Sequence, residues 1–196
     1  MVHFYYPNYF IYMDKKLITI ILLASLAFSV PAIAQTYSKS VLLLMDQSGS
    51  MDEYIGNEMK INIAKDAATD LVNSVSGINI GLRVFPDSYC DSDNIVPIAA
   101  IESNRQTLLS EIDELSPYGD TPIAEALRDS MDDFPATGEK IIVLLSDGEE
   151  TCYGDPVAAA YELAGKNYQG YGIPITQIPP GSQTPITVNT IGFNIS

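Results

Sequence analysis

The chain has 196 residues, 46% of them hydrophobic and 18% charged, with 25 Asp and Glu against 10 Lys and Arg for a formal net charge of −15. That length suits one domain around one hydrophobic core, and the apolar fraction excludes a disordered acidic tail or a fibrous repeat. So negative a chain repels phosphate backbones and anionic lipid headgroups, which argues against nucleic-acid or membrane-surface partners and in favour of cations.

The N-terminal region comes first in chain order. Met13-Asp14-Lys15-Lys16 precedes an apolar run from Leu17 to Val30, which leads into Pro31-Ala32-Ile33-Ala34. A basic start, a short apolar stretch and a small-x-small site make residues 13–34 a secretory signal peptide, cleaved after Ala34. This run of 14 residues falls short of the roughly 20 predominantly apolar residues that span a bilayer. Residues 1–12 hold four of the twelve tyrosines and follow no targeting logic, so they read as an upstream extension with Met13 as the true start. Processing would leave a chain beginning at Gln35, with 8 basic and 24 acidic residues and a formal charge of −16 over 162 positions.

Loss of that segment also removes His3, the one histidine. A mature chain without histidine cannot build a Ser-His-Asp triad, a Cys-His pair or a His-ligated zinc site, and two cysteines cannot make a Cys₄ site. Export, to the periplasm or the extracellular space, places the protein in an oxidising compartment. This favours pairing Cys90 with Cys152 over two free thiols.

Beyond the leader, Val41-Leu42-Leu43-Leu44-Met45 predicts a strand buried on both faces and ending in Asp46. A helix is expected from about Glu58 to Ser76, where Ala64, Ala67, Ala68, Leu71, Val72 and Val75 recur at helical spacing, with Gly77 ending it. Ile78–Phe85 and Ile95–Ile101 read as two strands of a hairpin with a wide loop that carries Cys90. Ser103 and Gln106 suggest a capping box ahead of Leu108, Leu109, Ile112 and Leu115. Thr121-Pro122 should open the next helix, with proline at its first position and Ile123, Ala126, Leu127 and Met131 inward. Lys140–Leu145 is a second doubly buried strand, leading into Ser146-Asp147-Gly148. Asp155-Pro156 should start a helix to about Lys166, and Ile186–Ile195 reads as a last strand. The uncharged, Gly- and Pro-rich stretch before it is expected to be a long irregular connection. Strands alternating with helices predict an α/β fold, a doubly wound and mainly parallel sheet flanked by helices.

In such sheets ligands gather at the carboxyl ends of the strands. Both strongly buried strands end at an aspartate there. The first delivers Asp46-Gln47-Ser48-Gly49-Ser50, the second Asp147, and Thr121 stands between them at a helix start. Carboxylates and hydroxyls without nitrogen or sulfur form a hard site, suited to Mg²⁺ or Mn²⁺ with water completing the coordination, and with Ca²⁺ as an alternative. Singly, each residue has a simpler explanation: Ser48, Ser50 or Thr121 as helix caps, Asp147 as a turn residue. Asp120, Glu149 and Glu150 are expected to shape the rim or to be solvated. Asp87, Asp91 and Asp93 lack the glycine and glutamate of an EF-hand loop and read as a solvated segment.

Asp46-x-Ser48-x-Ser50 with Thr121 and Asp147 resembles the metal-ion-dependent adhesion site of von Willebrand factor type A domains. Met45–Met51, Gly119–Leu127 and Leu145–Cys152 look most like exported bacterial members. The resemblance covers about Ser40 to the C-terminus. It implies a Rossmann-like fold in which Ser48, Ser50 and Thr121 contact the metal directly or through water, and Asp46 and Asp147 coordinate it directly or through water. It also implies a binding module rather than an enzyme, with a protein partner supplying a carboxylate to the metal. The family fold continues beyond a strand such as 186–195, so a domain at 40–196 is expected to lack its last helix and strand. A long uncharged edge left that way would make the chain poorly soluble.

Two other functions compete. Asp46 after a buried strand suits the nucleophile of a haloacid-dehalogenase-type phosphatase, but Ser48 stands where that mechanism wants an acid/base carboxylate, and no lysine is expected near the site. A structural subunit with a vestigial metal site is the third reading.

Overall fold

The structure is a computed structural model that describes residues 5–6, 9–10, 39–165 and 185–193. The chain divides into two units, residues 1–36 and 37–196. In the first, Tyr5–Tyr6 (β1) and Tyr9–Phe10 (β2) form a two-stranded antiparallel ladder. The signal-peptide segment 13–34 lies outside the described residues, as do Lys166 and nearly all of the expected irregular connection.

The second unit is built on a five-stranded sheet. Its strands are β3 (Lys39–Asp46), β6 (Asn79–Phe85), β7 (Asp93–Ala100), β8 (Glu139–Ser146) and β9 (Ile186–Gly192), in the spatial order β7-β6-β3-β8-β9. All neighbours are parallel except β6 and β7, which pair antiparallel as the expected hairpin. Leu43 sits opposite Leu82 on one side and Val143 on the other. Helices α1 (Lys60–Ser74), α2 (Ile101–Glu114), α3 (Ile123–Asp129) and α4 (Pro156–Leu163) cover the sheet. A small hairpin, β4 (Tyr54–Ile55) with β5 (Glu58–Met59), precedes α1. No described helix is long and apolar enough to cross a membrane.

The apolar run 41–45 is continuous because β3 is covered on both faces. Alternate side chains point opposite ways along a strand, so Val41, Leu43 and Met45 pack with Ala64, Ala68 and Val72 of α1 and Leu108 and Ile112 of α2. Leu42 and Leu44 pack instead with Ala126 and Leu127 of α3 and Ala159 and Leu163 of α4. Between β6 and β7 the register shifts around Leu82. There Gly81 lies so close to β7 that a Cβ would stand 2.7 Å from the Val96 carbonyl oxygen and 2.9 Å from the Ile98 nitrogen. Backbone cannot yield as a flexible side chain does, so Gly81→Ala should cost about 1–3 kcal/mol of stability in urea unfolding.

Several boundaries differ from expectation, each for a local reason. The first helix starts at Lys60 because Glu58 and Met59 are taken into the β4–β5 hairpin. α2 begins at Ile101, where a strand end was expected, so Ser103 lies inside the helix and donates to the Ala100 carbonyl at 2.8 Å instead of capping. α3 begins at Ile123, with Pro122 at the cap position and not the first helical one. Asp155 caps α4 as expected by accepting from Ala158 N at 2.9 Å, but the helix stops at Leu163, and Gly165 at φ +63 turns the chain away. The last strand ends at Gly192.

Candidate metal centre

Strand β3 is central, and the chain leaves it for β6 on one side and later returns to β8 on the other. Its carboxyl end is therefore the switch point at which open parallel sheets form a crevice. Three loops meet there, and backbone bonds knit them together. Gln47 N donates to Phe85 O at 2.7 Å, Tyr118 N to Gln47 O at 2.7 Å, and Gly49 N to Gly119 O at 3.1 Å. Gly119 adopts φ +72, a left-handed conformation that glycine takes without strain.

Asp46 ends β3 with no exposed surface. One carboxylate oxygen accepts from Ser48 N at 2.7 Å, the other from the Ser146 hydroxyl at 2.5 Å. Burial raises its pKa above the usual carboxylate value, the charge of Asp147 pushes the same way, and the bonds from Ser146 and Ser48 oppose the shift. The Ser48 and Ser50 hydroxyl oxygens lie 3.1 Å apart, and Ser50 donates to Asp147 Oδ1 at 2.9 Å. Thr121 comes in from the far loop: its N–H donates to Thr151 Oγ1 at 2.7 Å, and its carbonyl accepts from Thr151 N at 3.1 Å. A Cβ placed on Gly148 would stand 3.6 Å from both Ser50 Oγ and Thr121 Oγ1, which puts the threonine hydroxyl at the same crevice.

The structure thus gathers all five sequence-predicted residues at one edge of the sheet, with Asp46, Ser48 and Thr121 buried. Ser48 holds the N-cap position of the short 3-10 turn Gly49–Asp52 but makes no side-chain cap bond, and Pro122, not Thr121, stands at the cap of α3. Glu150 receives Ala124 N at 2.8 Å at the start of α3 and Cys152 N at 2.9 Å, so it braces the loop and is not a free rim charge.

Lysine at the site corrects the sequence reading. Lys60 is buried, and its ammonium bonds both Asp147 Oδ2 and, at 2.7 Å, Glu53 Oε2. Burial alone would lower its pKa, but the bonds and charges of Asp147 and Glu53 outweigh that and raise it. Lys60 was legible only through the β4–β5 hairpin, whose Gly56-Asn57 turn is itself a hairpin signal. Ser146, which holds Asp46, was likewise overlooked as mere prelude to Asp147.

Cys90 and Cys152 form a disulfide with Cα atoms 5.6 Å apart, joining the loop after β6 to the loop after β8. Asp120 Oδ lies within 4.8 Å of both sulfurs, but sulfurs engaged in a disulfide offer no thiolate to a metal.

A family model of the von Willebrand factor type A domain matches residues 41–150, a span that contains all five site residues. This chain belongs to that family. The Bacillus subtilis (strain 168) protein YwmC is 33% identical over 202 residues, covering 92% of this chain and 81% of YwmC. Among solved structures, an aerotolerance-related membrane protein from Bacteroides fragilis superposes with a TM-score of 0.62 at 23% identity, covering 79% of this chain and 67% of that one. The pilus adhesin SpaC from Lactobacillus rhamnosus GG superposes at 0.52 and 20% identity, over 60% of this chain and 16% of its own. The last two establish the shared fold.

The side-chain polar atoms of the five candidate residues gathered in this type A domain are oxygens throughout. Adjacent corners of an octahedron with metal–oxygen bonds of 2.0–2.1 Å are about 3 Å apart. The Ser48–Ser50 and Ser50–Asp147 oxygen separations of 3.1 and 2.9 Å fit that edge length. With Glu53 beside Lys60, carboxylates outnumber the ammonium, so the crevice retains an excess of negative charge.

Proposed function

We propose that this type A domain is an exported binding module. It holds Mg²⁺, or Mn²⁺, on Ser48, Ser50, Thr121, Asp46 and Asp147 and offers an open position to a carboxylate of a protein partner. The observation that carries this reading is the unbroken run of oxygens from Ser48 through Ser50 to Asp147 at octahedral edge spacing. Asp46 would act through water or a remaining lone pair, since each of its oxygens already accepts a bond. The metal would supply Lewis-acid attraction for the partner's carboxylate, and no bond need be broken.

Exposed aromatic side chains favour protein binding. Tyr54 in β4 and Tyr89, Tyr118 and Tyr153 on loops are all solvent-exposed, and tyrosine gives large contact area at low entropic cost. That the same fold serves a pilus adhesin supports the assignment. The disulfide suits an oxidising compartment, in keeping with the leader-like residues 13–34. A nucleophilic role for Asp46 is disfavoured by its complete burial and doubly engaged carboxylate.

Thermal unfolding with EDTA and with rising Mg²⁺ tests the site. The wild type should gain stability with concentration, about 2.7 kcal/mol at a free Mg²⁺ near 100 times Kd. Ser48→Ala with Ser50→Ala should abolish the gain, and an unresponsive wild type would sink the metal reading. Capture of a partner in Mg²⁺ but not EDTA, lost in the same double variant, tests the binding role.

A further inference from the structure

Lys60 has no part in the site as deduced from sequence, yet its ammonium bonds Asp147, one of the five candidate metal ligands. Its side chain is 6% exposed and that of Asp147 only 1%, whereas Glu53 is 68% exposed. A carboxylate as buried as Asp147 needs hydrogen-bond donors or a positive partner in place of water, and here Lys60 supplies the charge. The chain supplies one by construction: the β4–β5 hairpin returns to its own start, and Lys60 N donates to Glu53 O at 2.9 Å. That closure sets the ammonium between two carboxylates, one deep in the crevice and one in solvent.

We infer that Lys60 is a tethered counter-cation of the metal site, holding Asp147 when no divalent ion is bound and retreating onto Glu53 alone when one enters. This rests on the metal reading proposed above. The ammonium and a divalent cation compete for one carboxylate, since like charges this close repel strongly in a poorly solvated crevice. The exchange needs no new partner for the lysine, because Glu53 already accepts from it. Being exposed, Glu53 tolerates either state without a desolvation penalty. The lysine therefore keeps the metal-free crevice assembled and sets a threshold on the metal concentration at which the site loads.

Two substitutions should move metal affinity in opposite directions. Lys60→Met removes the competitor and should tighten Mg²⁺ binding by at least about tenfold in isothermal titration of the full chain. It should also lower the unfolding midpoint in EDTA. Glu53→Gln removes the retreat and should weaken Mg²⁺ binding about threefold, the smaller effect reflecting an exposed, screened charge. A lysine with a purely structural role would lose stability and affinity together on removal, so equal or weaker binding by Lys60→Met overturns the inference while the metal reading stands. Failure of both wild type and Lys60→Met to bind Mg²⁺ overturns the metal reading and this inference with it. Should Lys60→Met not fold, Lys60→Gln is read in the same way, and Glu53→Gln, altered at the surface, gives an independent sign: unchanged or tighter binding counts against the exchange.

Discussion

Asp147→Ala is expected to cost the metal-free fold about 3–5 kcal/mol in urea unfolding with EDTA present, the usual penalty for removing one member of a buried ion pair. The pair lies almost wholly out of water, with side-chain exposures of 1% and 6%. Truncation strands Lys60 with only the solvent-facing Glu53 and takes the acceptor from the Ser50 hydroxyl. Combining Asp147→Ala with Lys60→Met should restore much of the loss, since the variant then buries a methionine and no unpaired ammonium. The coupling from the double-mutant cycle measures the pair directly. A single-variant cost below about 1 kcal/mol would mean that the pair is solvated, and the counter-cation inference would fall with it.

The sequence disclosed the frame of this domain more fully than its connections. Val41–Met45 and Ile141–Leu145 announce themselves because strands covered on both faces read as unbroken apolar runs, and the sheet bears this out. The five candidate residues, which the structure brings to one crevice, were legible as a set since their chemistry is uniform and two of them follow such strands. Lys60 was not legible in the same way. It stands at the start of an amphipathic helix, where a lysine is ordinarily solvated, and only a two-residue hairpin folds it back onto Asp147. Helix starts were misjudged for a related reason. The cap signal at Thr121 was overruled by longer-range bonds, Thr121 N donating to Thr151 Oγ1 and Ala124 N to Glu150, and that at Ser103 by the earlier start of α2, where Ile101 N donates to the Ile78 carbonyl. Caps are weak enough, about 1 kcal/mol each, that tertiary contacts displace them.

Replacing both Cys90 and Cys152 by alanine should cost about 2–4 kcal/mol and loosen the crevice. The bond closes a separation of 62 residues that contains β7, α2, α3 and β8, for which loop-closure entropy alone gives about 4 kcal/mol. A partial offset comes from its neighbours. Tyr89 and Tyr153 flank the two cysteines at φ 47 and 63, a left-handed conformation that costs a non-glycine residue about 1 kcal/mol or more and that can relax once the tie is cut. Loss of the bond leaves the loop after β8 held by Glu150, which accepts from Cys152 N and Ala124 N, and by the two Thr121–Thr151 bonds, Thr121 N to Thr151 Oγ1 and Thr151 N to Thr121 O. Those contacts preserve the fold but tolerate wider excursions of Asp147 and Thr121, so the double variant should remain folded while Mg²⁺ binds more weakly. Urea unfolding of the oxidised, reduced and double-alanine forms, with Mg²⁺ titrated into each, separates the two effects. Undiminished Mg²⁺ affinity in the destabilised forms would show that the disulfide restrains only the unfolded chain and leaves the geometry of the crevice to its hydrogen bonds.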